Sequence, residues 1–234
     1  MIPIPLRDNQ RRELWPLVTL SLVVLNVLLF LFELSLGPRL AGFIQMFGVI
    51  PVRYMGPGGP FSYGLEGLLL PPFVSMFLHG GWGHLLSNML FLWVFGRSME
   101  DKLGHGRFAY FYLACGLGAG LTHIVLNPLS TIPTVGASGA IAGVLGAYLL
   151  SFPRAKITTL IPLFIFFWSV HLPAYVVLGY WFLIQFASGW QVLLIAPSTE
   201  GGVAWWAHVG GFVFGFLLGV ALPARKRKRR IPLE

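Results

Sequence analysis

Charge is scarce in this chain: Asp, Glu, Lys and Arg together make up 10% of its 234 residues, whereas 56% are hydrophobic. Soluble domains carry about 25% charged residues, so an ordinary water-facing surface is excluded and the solvent must be largely lipid. Acids are scarcest. The eight present are Asp8, Glu13, Glu33, Glu66, Glu100, Asp101, Glu200 and Glu234, and none lies deep in an apolar segment that carries Ser138, His208 or His84. A buried third acid beside a serine and a histidine is therefore not expected, and a proton-relaying channel would lack acidic partners in its helices. The H-E-x-x-H pair is absent, which removes the zinc-protease route. One cysteine, Cys115, stands in an apolar stretch, so no intramolecular disulfide can form and the residue reads as a small buried packing group.

What the chain does have is long apolar runs, from Pro16 to Leu36, Pro71 to Phe95, Phe108 to Leu126, Ala137 to Phe152, Ile157 to Ala187 and Val203 to Leu222. A bilayer core about 30 Å thick takes roughly 20 residues per helix. The first run follows Arg7, Arg11 and Arg12 as a signal peptide would, yet it is long and lacks a convincing small-x-small cleavage site, so we read it as a retained anchor. The fifth exceeds one crossing and contains Pro162 and Pro173. Either two helices cross there, or one crosses after an interfacial stretch from Ile157 to Leu172. Charge decides: with one crossing, only Arg39 and Arg53 of the 16 basic residues lie outside, whereas a seventh crossing would export the basic run Arg225 to Arg230.

The expected fold is thus all-α, a polytopic membrane protein with six transmembrane helices and both termini cytoplasmic. It divides into a cytoplasmic segment 1–15, a membrane domain 16–222 and a basic tail 223–234 that fixes topology and touches anionic lipid. The positive-inside pattern suits a bacterial inner membrane. The net charge of +8 sits in short blocks between apolar runs, so it reports topology and no nucleic-acid partner is expected. The segment Gly37 to Leu70, which contains Gly56-Pro57-Gly58-Gly59-Pro60, is long for a connection and is expected to fold over or into the membrane surface.

Polar residues inside such helices are the candidates for chemistry. His84 and Asn88, four apart, share one helix face; they serve either as polar glue between helices or as paired donors aimed at an oxyanion. The fourth run opens with Gly136-Ala137-Ser138-Gly139-Ala140. At about 1.5 Å per residue this helix is too short to fill the bilayer core, so Ser138 is expected below the outer surface, in a cavity that can admit water. Ser138, Ala142 and Gly146 line one face and Gly139, Gly143 and Ala147 the next, a groove that the Gly211, Gly215 and Gly219 ladder of the sixth run can enter. That approach would bring His208, a base of suitable pKa, toward the Ser138 hydroxyl as a dyad.

The combination of His79-Gly80-Gly81-Trp82-Gly83-His84 with Asn88, the stretch Phe95 to Gly104, the Gly-Ala-Ser-Gly segment and Ala207-His208-Val209-Gly210-Gly211 with Gly215 resembles the rhomboid family of intramembrane serine proteases. The resemblance implies Ser138 as acyl-forming nucleophile, His208 as base and then acid, and an oxyanion hole from His84, Asn88 and the Ser138 N–H. It implies that Gly136 and Gly139 let the backbone turn beside the substrate, and that Trp181, Phe182 and Phe186 form a substrate gate under a cap from Gln191 to Gly202. It assigns Glu100 to steadying the cytoplasmic ends of the second and third helices, and Gly37 to Leu70 to a membrane-embedded loop. Position 142, where some members place an aromatic ring against the base, is Ala142 here. The expected substrates are transmembrane proteins, cut in or near their spans, and no metal or organic cofactor is implied. Two other classes remain to be tested: an inactive relative that binds clients without cutting them, and a channel or transporter.

Overall fold

In lipid every backbone N–H and C=O must be satisfied within the protein, so the apolar runs condense into helices. The computed structural model describes residues 3–57, 59, 63–163, 166–195 and 203–225. In chain order its elements are β1 (Ile4–Asp8), α1 (Leu17–Ser35), α2 (Leu40–Phe47), α3 (Val52–Met55), α4 (Gly64–Val74), α5 (Trp82–Phe91), α6 (Arg97–Leu103), α7 (His105–Leu126), α8 (Ser138–Ser151), β2 (Lys156–Leu163), β3 (Phe166–Pro173), α9 (Ala174–Ile195) and α10 (Trp205–Ala221). The protein is mostly helical, and α1 and α7 are long and apolar enough to cross a membrane. Helices α8 and α10 are apolar but shorter.

Two expectations about element boundaries need correction. The second helix begins at Trp82 rather than Pro71, because the chain turns extended at Leu78 (ψ 153°) and Pro71 belongs to α4. It then runs through a π-helical turn, Leu92–Gly96, into α6. The residues 191–195, expected in a cap loop, complete the last turns of α9, and 196–202 lie outside the described residues.

The all-α expectation also fails in one region. Within the stretch expected to be interfacial, β2 and β3 pair antiparallel, with Ile157 opposite Leu172, and β1 adds to β2 with Ile4 opposite Leu160 and Asp8 opposite Ile157. Ile157, Thr158, Thr159 and Val170 suit a pleated sheet. Pro162 is tolerated in the middle strand because β1 pairing ends at Leu160, leaving no ladder bond for its missing N–H to donate. One helix, α9, follows Pro173.

Carboxylates on α6 tie these parts together. Helix α1 follows Pro16 and has no side-chain cap of its own. Glu100, fully buried, supplies one: it accepts the N–H groups of Val18 and Thr19 at 2.8 Å and the Thr19 hydroxyl at 2.6 Å. A carboxylate there satisfies orphan donors and meets the positive end of the helix dipole. Glu100 also pairs with His105 Nδ1 at 2.5 Å, so it joins the second helix to the first as well as to the third. Gly104, at φ 83°, makes the tight turn into α7 and donates its N–H to the Glu100 carbonyl at 2.7 Å. Asp101 accepts the N–H groups of Glu13 and Leu14 at 2.8 Å and the Arg225 guanidinium at 3.0 Å. Burial pushes the Asp101 carboxyl up, but these donors outweigh it and hold it below the ordinary aspartate value. Asp8 accepts from Ser98 and Tyr148 and pairs with Arg12.

The core centres on α8, buried from Gly139 to Tyr148 and flanked by α7 and α10. Cys115 is buried against Gly143.

Candidate active site

Two glycine ladders let α8 and α10 meet backbone to backbone. A Cβ on Gly211 would collide with the Gly139 carbonyl oxygen, one on Gly215 with that of Gly143, and one on Gly146 with that of Phe212. Small residues at such a seam permit dense packing without side chains in between. The seam carries Ser138, the first residue of α8, and His208, in the first turns of α10, to each other: Ser138 Oγ lies 2.7 Å from His208 Nε2. His208 is buried, 9% exposed as a residue.

The other side of His208 is held by a helix outside the seam. Nδ1 lies 2.6 Å from Gln185 Oε1 on α9, and Gln185 is buried. Trp181, one turn earlier, sets its ring 6.0 Å from the imidazole, and Trp205 meets it edge-on at 6.3 Å. Position 142 offers no ring, so aromatic contacts reach His208 from α9 and α10 instead. Sequence reasoning missed Gln185. Its signal was an amide in an apolar run, four residues after Trp181 and hence on the same face.

His84 and Asn88 both border the cavity beside Ser138 but are differently engaged. Gly80 N–H reaches His84 Nδ1 at 3.4 Å, which leaves the ring hydrogen on Nε2. That nitrogen faces Gly136: a Cβ there would lie 2.7 Å from it. Gly136 is at φ 135° and donates its N–H to the Ser75 carbonyl at 2.8 Å, so a residue without Cβ is required by conformation and by space. Asn88 Nδ2 donates to His79 Nε2 at 3.0 Å, leaving its second hydrogen for another acceptor. His79 is buried, and its backbone N–H donates to the Glu33 carboxylate at 3.1 Å. Neither His79 nor Glu33 was given a role from sequence. Glu33 stands on α1, and its nearness to the second helix depends on tertiary packing.

The segment leading into α8 is fixed from two sides. Val49 and Thr134 exchange backbone hydrogen bonds of 3.0 and 2.8 Å, and Thr134 Oγ1 lies 3.0 Å from His123 Nε2. Ser138 therefore starts its helix at a set position, with its N–H among the free donors of the first turn.

These groups face a cavity of about 660 Å³ that Gly136, Gly139, Trp181 and Gln185 also line. Phe182 packs instead against Phe212, 4.7 Å between centroids, and Phe186 stacks on Phe182 and Trp190. Chemically, the cavity places a hydroxyl within hydrogen-bond reach of an imidazole nitrogen and has His84 and Asn88 on its wall, the kinds of groups that acyl transfer uses. Among the described residues, no group of three or more His, Cys, Asp or Glu is placed to hold a metal ion.

A family model described as Rhomboid domain matches residues 69–225. The chain is 32% identical over 160 residues to "Rhomboid protein 1, mitochondrial" of Saccharomyces cerevisiae, covering 67% of this chain and 42% of that one. It is 29% identical over 231 residues to "RHOMBOID-like protein 1" of Arabidopsis thaliana, covering 88% and 54%. It is 30% identical over 209 residues to "Rhomboid protease GluP" of Bacillus subtilis, covering 88% and 35%. The chain thus spans about half or less of the length of these curated relatives.

Proposed function

The chain belongs to the rhomboid family of integral membrane proteins, and from that premise we propose that it is a serine endopeptidase that cuts transmembrane proteins in or near their spans. The observation that carries this reading is the 2.7 Å separation of Ser138 Oγ and His208 Nε2, on two different helices beside a cavity. In the proposed reaction Ser138 Oγ attacks a peptide carbonyl while His208 Nε2 takes its proton. Negative charge develops on the carbonyl oxygen, near the Ser138 N–H, His84 Nε2 and the spare Asn88 hydrogen. His208 returns the proton to the leaving amine, and an acyl-enzyme remains. Water, deprotonated by the same imidazole, then releases the second fragment and restores the serine.

We place six crossings at α1, α5 continuing toward α6, α7, α8, α9 and α10. The segment 1–15 and the tail from 223 then lie in the cytoplasm of a bacterium, the sheet lies at the cytoplasmic membrane interface, and membrane lipid surrounds the helices between 16 and 222. The charge pattern supports this arrangement. Gly136, Gly139 and Trp181 border the peptide, and Phe182 acts behind Trp181 through Phe212.

Co-reconstitution with single-span membrane proteins tests the reading. Fragments cut in or near the span should form with the wild type and be lost with Ser138→Ala and His208→Ala. Binding of clients with no fragment from any of them would favour a client-binding protein without hydrolase activity.

A further inference from the structure

His208 can serve Ser138 only in one of its two neutral forms. For Nε2 to accept the hydroxyl proton, the ring hydrogen must sit on Nδ1, and a buried N–H needs an acceptor. Triad enzymes provide a carboxylate at that position. No acid contacts His208 among the described hydrogen bonds, and Gln185 Oε1 occupies the corresponding place at 2.6 Å. We propose that Gln185 is the positioning residue of this site, a neutral amide that fixes the tautomer and ring plane of His208. The inference rests on the peptidase reading for its effect on rate, though the pairing itself can be tested without it.

Three observations carry the assignment. Gln185 is 4% exposed, so its amide is not spent on solvent. Its oxygen is the only atom type on that side chain able to accept the Nδ1 hydrogen, and it is the atom that faces the ring. The ring has little else to set its angle from α8, since position 142 is alanine, while Trp181 on the same face of α9 packs beside it at 6.0 Å. An amide rather than a carboxylate also suits the surroundings: a lone buried carboxylate would carry a large desolvation cost in a helix set in lipid, and an amide carries much less.

The test uses the full-length protein in detergent or liposomes with Gln185→Met, which keeps the length and removes the acceptor, and Gln185→Glu, which restores one. The rate of Ser138 modification by a fluorophosphonate should fall by about 10²-fold in Gln185→Met, at the low end of what a positioned general base contributes. Gln185→Glu should recover at least about tenfold of that loss. With imidazole-labelled histidine, nitrogen NMR should show the His208 signal, identified by its loss in His208→Ala, as the Nδ1–H form in the wild type. Gln185→Met should convert it to a mixture with Nε2–H. An unchanged tautomer in Gln185→Met overturns the proposal whatever the activity. Wild-type labelling rates in that variant overturn it too, while leaving the peptidase reading intact. Wild-type labelling no greater than that of Ser138→Ala would instead sink the peptidase reading, and the NMR result would still decide the pairing.

Discussion

Gly211→Ala puts one methyl group where α8 and α10 touch. Its Cβ would overlap the Gly139 carbonyl oxygen and lie 3.2 Å from the Ala119 Cβ, and backbone atoms on one side cannot rotate away. The helices must part by about 1 Å, which takes the Ser138 to His208 contact from 2.7 Å to beyond hydrogen-bond range. A misplacement of that size costs roughly 10²-fold in rate. Stability should change much less: overpacking costs about 1–3 kcal/mol, and alanine returns up to about 1 kcal/mol of helix preference over glycine. Labelling by a fluorophosphonate, read against unfolding in a titration with SDS, separates the two. Gly106→Ala is the control, since a Cβ there meets nothing within 4 Å; it should leave labelling unchanged and stabilise slightly. Wild-type labelling by Gly211→Ala would refute the claim that the seam sets the distance between the two side chains.

Removal of the shared cap should be costly. Glu100→Ala strands the Val18 and Thr19 donors and should destabilise by about 3–5 kcal/mol in the same titration, with Glu100→Gln losing less because one acceptor oxygen remains. The clamp at Asp101 should respond to acid. Its folded-state pKa is depressed, so its contribution is present above the ordinary aspartate value and is lost as pH falls through the lower folded value. Protection of the Glu13 and Leu14 amides, taken relative to the intrinsic exchange rate at each pH, should fall over that acid range, and at neutral pH in Asp101→Asn; pH-independent protection would contradict the clamp. His84→Ala should slow Ser138 labelling by about 10²-fold, as loss of one oxyanion donor does, with the His208 tautomer unchanged. A shifted tautomer would mean that His84 acts on the dyad rather than on the substrate.

The helical skeleton was legible because lipid forces each apolar run to close its own hydrogen bonds. Helices α7, α8 and α10 start and stop within a few residues of the runs Phe108 to Leu126, Ala137 to Phe152 and Val203 to Leu222. The meeting of residues 138 and 208 was legible for a similar reason: glycines repeated every four residues on two segments describe surfaces that fit each other. The sheet was not. Its apolar middle strand has no clean alternation, and its partner β1 lies about 150 residues away, so no window of sequence contains the pair. The roles of Gln185, His79 and Glu33 were hidden for the same cause, since each acts on a group from another segment. Glu100 was visible as an acid at a helix end, but not that α1, which lacks a cap of its own, would use it.

Intact mass spectrometry after exposure to a fluorophosphonate addresses the Ser138 and His208 pair most directly. One adduct should form, mapped by proteolysis to Ser138, absent in Ser138→Ala and formed at least about 10²-fold more slowly in His208→Ala. An unmodified wild-type protein, or an adduct on any other residue with Ser138→Ala labelled equally, would contradict the assignment of this hydroxyl as a nucleophile activated by that imidazole.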